Sequence, residues 1–334
     1  MRHYRVLAHG EPSSLQIHDA ADLTPGAQEI VVDVRAISLN FPDVLVVQGK
    51  YQFLPPLPFT PGKDFSGIVR AVGPGVQGIA PGDRVMSQTE FGAYAEQAIT
   101  TPQRTSIIPD EMSFAQAAAM GLVYQTAYFA LTERARLEAG ETVLVGGAAG
   151  GVGLAAVQIA KGLGATVIAG VRSAEEARIV RESGADFTID LSRDNLRDAI
   201  REQIRDLPLE KPGADIVIDP LGGDFFAGAI RALAWCGRLV VIGFAGGGIP
   251  TVKVNYLLVK NISILGIQWS DYREYTPERV IAAQRSLFEL WRKGMIRPHI
   301  GLEVGFENLP QALDQVAHGK VRGKAIVLTA KDPS

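Results

Sequence analysis

The pattern of hydrophobic positions changes along the chain near residue 122. Before that point, short apolar runs such as Glu29–Ile37 alternate with turn-rich segments such as Pro55–Pro58 and Gly73–Gly75, which predicts an all-β region. After it, continuously apolar strands alternate with helical segments, as is typical of a parallel sheet covered by helices on both faces. The pattern therefore predicts an α/β protein in which a doubly wound parallel sheet follows a β-rich domain.

Alternating strands and helices define the second region. Predicted strands cover residues 142–145, 166–171, 216–218 and 238–242, and predicted helices cover residues 151–162, 174–183 and 224–234. Residues 298–330 then return to short strands around an amphipathic helix over Leu309–Ala317. This return predicts that the C-terminal segment packs on the first domain.

The segment Leu144–Ala160 joins a buried strand to a helix through glycine and alanine, with five glycines within Gly146–Gly153. Small residues let the backbone approach a diphosphate, and the N–H groups at the start of the helix bond to it. The alternative is a tight turn that binds nothing, but the two βα units that follow in register favour a dinucleotide. The residues expected to contact the cofactor are Ala148, which departs from the usual first glycine, and Gly150, Gly151, Val152 and Gly153.

The end of the second strand of such a domain selects between the two nicotinamide dinucleotides, because an acidic side chain there would hold a ribose 2′-hydroxyl. This chain has Arg172 and Ser173 at that end, a cation and a hydroxyl suited to a 2′-phosphate. Arg178 is either a second cation for the phosphate or a solvated helix arginine, and Glu175 and Glu176 weaken the local positive field. NADPH is therefore the expected cofactor.

Composition and charge limit the classes of partner that this chain is expected to bind. Among 334 residues, 47% are hydrophobic and 21% charged, and the 33 basic and 36 acidic residues give a net charge of −3. No large field for nucleic acid or anionic lipid is expected. No apolar stretch of about 18 residues occurs, and Met1–Leu7 has the pattern of a strand rather than of a signal peptide. These features predict a cytoplasmic enzyme with neither a nucleic-acid nor a membrane partner.

The single cysteine, Cys236, rules out an intrachain disulfide and a multi-cysteine zinc site. It lies between apolar runs, so we expect it to be a small core residue rather than a nucleophile.

A series of short sequence blocks occurs in a fixed order along the chain: Asn40–Leu45, Pro58–Gly62, Gly67–Val69, Val72–Val76, Pro81–Val85, Gly92–Glu96, the glycine turn and Gly319–Lys324. In content and order these blocks resemble the medium-chain dehydrogenases/reductases, and within them the zinc-free quinone oxidoreductase branch. The resemblance covers nearly the whole chain. It implies a GroES-like β-barrel domain over residues 1–122, completed by residues 267–334, and a Rossmann NADPH-binding domain over residues 123–266. It also implies an active site in the cleft between them.

The same resemblance implies that no metal is bound. Zinc-dependent relatives place a cysteine near position 40, a His-Glu pair where this chain has Lys63 and Asp64, and a further ligand at the position of Leu122. All three metal positions are lost, so no zinc is expected. NADPH is the only expected cofactor, without a flavin. Without a Lewis acid to stabilise an alkoxide, reduction of an activated acceptor is the easier direction of hydride transfer.

The resemblance also implies a set of catalytic residues. Asn40 and Asp43 match polar positions of the family's cleft, and Tyr51 matches a tyrosine near the nicotinamide. Each has a structural alternative: Asn40 as the cap of a short helix, Asp43 as a first-turn acid of that helix, and Tyr51 as a turn aromatic.

Further positions are expected to line the site. Thr126 matches a threonine near the nicotinamide ribose, with helix interior as its alternative. Phe244 is the expected nicotinamide wall, and Leu191 an aliphatic support for adenine. Lys63 faces an anionic substrate group or, as we favour, pairs with Asp64. The remaining expected pocket residues are Leu45, Gln125 and Trp269. The alternative for Gln125 is again a helix interior, and the alternative for Trp269 is an aromatic that closes a domain interface.

The expected function is NADPH-dependent reduction of quinones or α,β-unsaturated carbonyls, with Tyr51 or water supplying the proton. The alternatives are an enoyl thioester reductase and, in another class, a low-turnover NADPH-binding structural or regulatory protein. Relatives pair an edge strand with its copy across a two-fold axis, so we expect a homodimer through residues near 261–267.

Overall fold

The structure is a computed structural model, and it describes residues 1–329. The strands are β1 (Arg2–Arg5), β2 (Gln16–Asp19), β3 (Ile30–Leu39), β4 (Asp64–Val72), β5 (Arg84–Gln88), β6 (Gln97–Thr100), β7 (Thr105–Ile107), β8 (Thr142–Val145), β9 (Thr166–Val171), β10 (Phe187–Asp190), β11 (Ala214–Asp219), β12 (Leu233–Val241), β13 (Ser263–Gly266), β14 (Ile300–Gly305) and β15 (Lys324–Leu328). The α-helices are α1 (Phe41–Val47), α2 (Phe114–Ala119), α3 (Leu122–Phe129), α4 (Gly151–Gly162), α5 (Ala174–Glu182), α6 (Leu196–Arg205), α7 (Gly223–Ala229), α8 (Asn255–Lys260), α9 (Trp269–Tyr275), α10 (Pro277–Arg292) and α11 (Leu309–Ala317). A π-helical segment, Ala130–Arg134, follows α3, and 3₁₀ turns lie at Pro12–Ser14, Pro102–Arg104 and Phe306–Asn308.

The chain forms two compact units. Unit 1 contains Met1–Leu122 together with the segment from Pro298 onward, and unit 2 contains Val123–Arg297.

Unit 1 is built on a sheet with strand order β14-β15-β3-β4-β5-β7, in which β6 also pairs with β3. Strand β3 is apolar along most of its length because it lies inside the unit, with the main core on one side and α2 packed against it. The C-terminal strand β15 pairs antiparallel with β3, from Ala325 opposite Leu39 to Leu328 opposite Ala36. The predicted return of the C-terminal segment to the first domain is therefore confirmed.

Helix α11 buries Leu309, Ala312 and Leu313 in the core of unit 1. Their spacing places them on one face of a helix, which is the amphipathic pattern expected for Leu309–Ala317.

Unit 2 is built on a parallel sheet with strand order β10-β9-β8-β11-β12-β13. All four residues of β8 are buried, as are the residues of α4 from Gly153 to Ala160, because helices cover the sheet. Chain order reverses direction between β8 and β11, and doubly wound sheets bind ligands beyond the carboxyl ends of the strands at such a switch point. The Rossmann-type fold predicted for this region is confirmed.

The predicted second boundary is wrong. We expected the first domain to resume at residue 267, but α9 and α10 belong to unit 2 and the division lies after Arg297. Specific contacts explain this placement, because Gln125 Nε2 donates to Gln284 Oε1 at 2.7 Å and the rings of Phe129 and Tyr272 lie 4.5 Å apart.

Two local predictions in unit 2 are also wrong. The helix predicted over 224–234 ends at Ala229, and β12 already begins at Leu233. Cys236 is exposed rather than buried and has a φ of 60°, a left-handed conformation that is uncommon for a residue with a side chain. Its neighbour Trp235 is 79% exposed, so the apolar residues around Cys236 do not enclose it.

Candidate functional site

The glycine turn of unit 2 requires residues that have no side chain. Gly147 has a φ of 53°, and its carbonyl accepts a hydrogen bond from Gly150 N at 3.0 Å. Helix α4 begins directly after Gly150. A Cβ on Gly153 would lie 2.3 Å from Gly147 O, so only glycine lets the helix start so close to the turn.

The first turn of α4 carries the chemistry of this segment. The first N–H groups of a helix lack intrahelical acceptors and point out of its end, which here is formed by Gly151, Val152 and Gly153. These groups and the helix dipole favour an anion such as a diphosphate. Ala148 is fully buried and donates its N–H to Gly170 O at 3.0 Å, so it shapes the turn from behind.

Arg172 and Ser173 lie between β9 and α5, and both are exposed. Ser173 Oγ accepts from Glu176 N at 3.2 Å, and the buried Glu176 returns its carboxylate to Arg172 N at 2.7 Å. Ser173 is thus the N-cap of α5, and the Glu176 carboxylate binds the backbone N–H of the residue before that cap. Glu176, which we expected to weaken the positive field, therefore also serves to fix the backbone that carries Arg172.

Two neighbouring positions were considered for the cofactor site, Arg178 for the 2′-phosphate and Leu191 for adenine. Arg178 Nη1 lies 2.7 Å from Glu182 Oε1 on the exposed face of α5, which agrees with the solvated-arginine alternative. Leu191, expected to support adenine, is 7% exposed and belongs to the core cluster of unit 2. A Cβ on Gly170 would lie 2.8 Å from Leu191 Cδ1. Leu191 therefore packs against the sheet instead of presenting a free wall.

Asp219, at the end of β11, was not among the predicted site residues. Its side chain is completely buried, and Oδ1 accepts from Leu221 N and Gly222 N at 2.9 Å each. Oδ2 is buried with no hydrogen-bond partner among residues 1–329. Burial raises the pKa of Asp219, and the bonds from Gly222 and Leu221 oppose that rise. The available signal was an aspartate that ends an apolar strand before Pro220 and paired glycines.

The loop that carries Phe244 is fastened to the segment after Asp219. Backbone bonds run from Ile242 N to Asp219 O at 2.8 Å, from Ala245 N to Pro220 O at 3.0 Å, from Gly246 N to Leu221 O at 2.8 Å and from Gly223 N to Gly248 O at 2.9 Å. Phe244 is 41% exposed, and a Cβ on Gly222 would lie 2.9 Å from its Cδ1. The ring is thus held against a glycine at the carboxyl edge of the sheet.

Three other predicted residues are packed inside unit 2. Thr126 and Gln125 are buried in α3, where Gln125 bonds to Gln284. Trp269 is 3% exposed, with the guanidinium carbon of Arg273 4.9 Å from its ring centroid. These surroundings agree with the helix-interior alternative for Thr126.

In unit 1, Asn40 is the centre of a buried polar cluster. Its Oδ1 accepts from Lys324 Nζ at 2.6 Å, and its Nδ2 donates to Asp64 Oδ2 at 3.0 Å and to Ser38 O at 3.2 Å. Asp64 also accepts from Leu122 N, at 3.1 Å from either oxygen. Both amide protons of Asn40 are therefore engaged within the cluster, which favours a scaffold role for this side chain.

Asp43 is the first-turn acid of α1 and is 1% exposed. Its Oδ2 accepts from Asn40 N at 3.0 Å and from Tyr94 Oη at 2.9 Å. Burial raises the pKa of Asp43 to about 6, against the opposing effects of the Lys63 charge and the Tyr94 hydrogen bond. Burial likewise lowers the pKa of Lys324 to about 8, while Asp64 and Asp43 oppose that change. The cluster thus holds two groups that titrate far from their usual range.

Lys63 is 5% exposed. We expected it to pair with Asp64, but its Nζ lies 2.9 Å from Glu90 Oε2 and 3.1 Å from Glu90 O. The same ammonium lies 5.1 Å from the ring centroid of Tyr51. Tyr51 and Leu45 are both partly exposed. Of the predicted substrate-side residues, the structure therefore brings Lys63 and Tyr51 together.

Comparison with known proteins identifies the family. Residues 26–110 match the alcohol dehydrogenase GroES-like domain, and residues 151–284 match the zinc-binding dehydrogenase domain. Quinone oxidoreductase-like protein 2 of Mus musculus is 39% identical over 328 residues, which cover 98% of this chain and 92% of the relative. The chain belongs to the medium-chain dehydrogenase/reductase superfamily.

Solved structures place this superfamily member in the quinone oxidoreductase branch. Escherichia coli quinone oxidoreductase complexed with NADPH superposes with a TM-score of 0.88 at 28% identity, covering 98% of this chain and all (100%) of that one. A mycobacterial protein complexed with NADPH superposes with a TM-score of 0.91 at 30% identity, with 98% and 100% coverage. The predicted fold and family are confirmed, and the superfamily member is an oxidoreductase.

The zinc positions of the superfamily do not fit zinc in this chain. Zinc takes thiolate, imidazole or carboxylate ligands. Of the superfamily's zinc positions only Asp64 offers one of these groups, because Asn40, Lys63 and Leu122 offer an amide, an ammonium and an aliphatic group. Within residues 1–329, no group of three or more His, Cys, Asp or Glu side chains is placed to hold a metal ion. No helix in the same range is both long and apolar enough to cross a bilayer.

Proposed function

We propose that this oxidoreductase reduces quinones or α,β-unsaturated carbonyl compounds with hydride from NADPH and without a metal ion. The observation that carries the proposal is the glycine turn from Gly146 to Gly153, followed by the exposed Arg172 and Ser173 at the end of the next strand. Solved relatives of this branch hold NADPH, which supports the assignment. A cytoplasmic location remains part of the proposal.

The cofactor side is assigned to unit 2. The N–H groups of Gly151, Val152 and Gly153 would receive the diphosphate, and Arg172 with Ser173 would receive the 2′-phosphate. Phe244 would form one wall of the nicotinamide site. When bound, NADPH supplies a hydride with its two electrons.

The substrate side is assigned to unit 1. Tyr51 would donate the proton that completes reduction, because it combines partial exposure with a hydroxyl group. Asn40 and Asp43 would act as a scaffold, since the Asp43 carboxylate accepts from Asn40 N and Tyr94 Oη and the Asn40 amide bonds to Lys324 and Asp64.

Cofactor choice is tested by measuring the affinity of wild type and Arg172→Ala for NADPH and NADH. Loss of a charge-assisted contact should weaken NADPH binding about tenfold or more and leave NADH unchanged. Arg178→Ala should have a smaller effect, because that side chain is paired with Glu182. Arg205→Ala, which removes an exposed arginine of α6 paired with Asp206, serves as the matched control. Equal wild-type affinities for the two cofactors would contradict the NADPH assignment.

Substrate class is tested by following NADPH consumption with quinones, enones and enoyl thioesters, alongside metal and flavin analysis of the purified protein. Turnover of quinones or enones supports the proposal. A preference for thioesters would establish the enoyl thioester reductase instead, and tight NADPH binding without turnover would indicate a structural or regulatory protein. Stoichiometric zinc would exclude the metal-free reaction.

We also propose a homodimer formed through β13. This strand ends the sheet of unit 2, and exposed edge strands readily pair with a second chain. The preceding helix exposes Leu258 and Val259, which are 78% and 70% accessible. Light scattering should show a dimer for wild type and a monomer for Leu258→Glu combined with Val259→Glu. A monomeric wild type would contradict the proposal.

A further inference from the structure

Lys63 places a cationic group inside unit 1, where its side chain is only 6% exposed. Two contacts with one residue hold it there, since Nζ donates to both the carboxylate and the carbonyl of Glu90. These contacts set the height of the ammonium over the Tyr51 ring, at 5.1 Å from its centroid. The position of the charge relative to Tyr51 is thus fixed from a loop 27 residues further along the chain.

Stability alone is a weak reason for this arrangement. Removing an ammonium and a carboxylate from water carries a desolvation penalty, and well-packed apolar residues of similar size often stabilise a fold as much or more. A buried charge beside a partly exposed titratable side chain is more typical of a site where charge is used in a reaction.

We propose that Lys63 is a positioning residue for Tyr51 as the proton donor. Its ammonium holds the phenol ring in place and stabilises the phenolate that remains once the proton has left. The inference rests on the proposed function, because it assigns the way in which the substrate's proton is supplied.

Reduction of the acceptor takes one hydride and one proton. Hydride passes from NADPH to the electrophilic carbon or oxygen of the acceptor, which oxidises the cofactor to NADP⁺ and reduces the acceptor by two electrons. The anion formed on the acceptor takes the proton of the Tyr51 hydroxyl, so the O–H bond of Tyr51 breaks and a new O–H or C–H bond forms. The negative charge then lies on Tyr51 beside Lys63, until water returns a proton.

Electrostatics explains why a lysine suits this place. A cation close to an aromatic ring is attracted to its face, and its attraction to a phenolate is much stronger in a site with little water than in bulk solvent. Glu90 limits the net charge, so the cation is buried without being isolated. The Lys63 charge also acts at Asp43, whose pKa it holds down against burial.

The test compares single and double variants. Lys63→Met, which keeps the length and removes the charge, should lower kcat about 10- to 100-fold, and Tyr51→Phe about 100-fold or more. The double variant should be no slower than Tyr51→Phe alone, because Lys63 acts through Tyr51. Lys63→Arg should restore part of the rate. A double variant that is slower by the product of both effects would overturn the proposal.

Glu90→Gln tests whether the charge of Lys63 or its ion pair with Glu90 matters, because it removes the pair and keeps the ammonium. If the pair mattered only for folding, Glu90→Gln and Lys63→Met would lose rate and thermal stability equally. Under the proposal, Glu90→Gln keeps the cation and loses less rate than Lys63→Met. Equal losses of kcat at equal melting temperatures would overturn the inference.

A spectroscopic arm does not depend on turnover. The tyrosinate absorbance of Tyr51 is isolated by subtracting the Tyr51→Phe spectrum from that of the protein with Tyr51 present. We expect this band to develop at higher pH in Lys63→Met than in wild type, with NADPH affinity unchanged. An identical titration in both proteins would overturn the inference even if quinone reduction is established. If the tyrosinate titration shifts as expected but the protein reduces no acceptor, the proposed function is wrong and the interaction of Lys63 with Tyr51 still holds.

Discussion

The two regions that carry the candidate site are built in opposite ways. In the glycine turn of unit 2, Gly147, Gly150 and Gly153 function through the side chains they lack, and backbone groups do the binding. In the polar cluster of unit 1, Asn40 and Asp43 are held in place by hydrogen bonds to the side chains that surround them. The comparison shows that a backbone-built site depends on single positions, whereas a site built from side chains depends on its partners.

The difference also governs how each region responds to change. A Cβ on Gly153 would meet only main-chain atoms of Gly147 and Ala148, so an added methyl group there has no space to move into. The cluster instead contains a buried carboxylate, Asp43, whose raised pKa makes its charge depend on pH. Steric substitutions should therefore test the first region, and charge-removing substitutions the second.

The largest effect is expected at the turn, for Gly153→Ala. The new Cβ would lie 2.3 Å from Gly147 O and 2.7 Å from Ala148 Cα, so α4 must move away from the turn. We expect a loss of about 3 kcal/mol or more in the free energy of unfolding. NADPH binding should become undetectable, which calorimetry and chemical denaturation can measure together.

Gly162→Ala is the matched control, because it adds the same methyl group to the last residue of the same helix. Its Cβ would meet Met295 Cβ at 3.4 Å, an ordinary contact. Stability should stay the same or rise by up to about 1 kcal/mol, since alanine is the better helix former. Unchanged NADPH binding in Gly153→Ala would show that the turn does not need its close approach.

Most of the fold could be predicted because it depends on local patterns. Strands β8 and β9 and helix α4 have the predicted bounds, since apolar runs and small-residue turns mark them directly. Helix α7 is five residues shorter than predicted at its end, because Leu233 and Ala234, which also suit a helix, are taken up by the sheet. The second domain boundary depends on long-range contacts such as that of Gln125 with Gln284, which no local pattern shows.

The candidate site divides in the same way. The glycine turn and the Arg172-Ser173 end of β9 follow from spacing alone. The partner of Lys63 does not, because Glu90 reaches it from another loop, and sequence proximity suggested Asp64 instead. Asp219 was missed for a related reason, since its importance lies in bonds to Leu221, Gly222 and Ile242 that exist only after the sheet has formed.

The second largest effect is expected in the polar cluster, where the stability of Asp43→Asn should differ from that of wild type in its dependence on pH. Asp43 has a pKa of about 6 in the folded protein, against about 3.9 in an unfolded chain. Between these values the folded state binds the proton more tightly, so this group's contribution to stability falls as pH rises from 4 to 6. Asparagine carries no charge at either pH and removes that contribution.

The measurement is chemical denaturation of both proteins at pH 4.5 and pH 7. The stability of wild type relative to Asp43→Asn should fall by about 2 kcal/mol over this interval. Carboxylates whose pKa is lowered in the fold, such as Asp190 and Glu307, act in the opposite direction but are present in both proteins. If the difference in stability between wild type and Asp43→Asn does not change with pH, Asp43 is not a desolvated acid. The comparison of the cluster with the turn would then lose its electrostatic basis.

The smallest effect on stability is expected at Asp219, which shares one property with each of the two regions. This side chain is buried like those of the cluster, but it bonds only to backbone, like the turn. Asp219→Ala removes the acceptor of Leu221 N and Gly222 N and should lower stability by only about 1 kcal/mol, because relief of a buried charge offsets the lost bonds. NADPH binding should weaken more than stability suggests, since the loop of Phe244 is fastened to the same segment. Asp219→Asn, which keeps an acceptor oxygen, should retain most of the affinity. If both variants lose affinity equally, the charge of Asp219 matters and its hydrogen bonds with Leu221 N and Gly222 N do not.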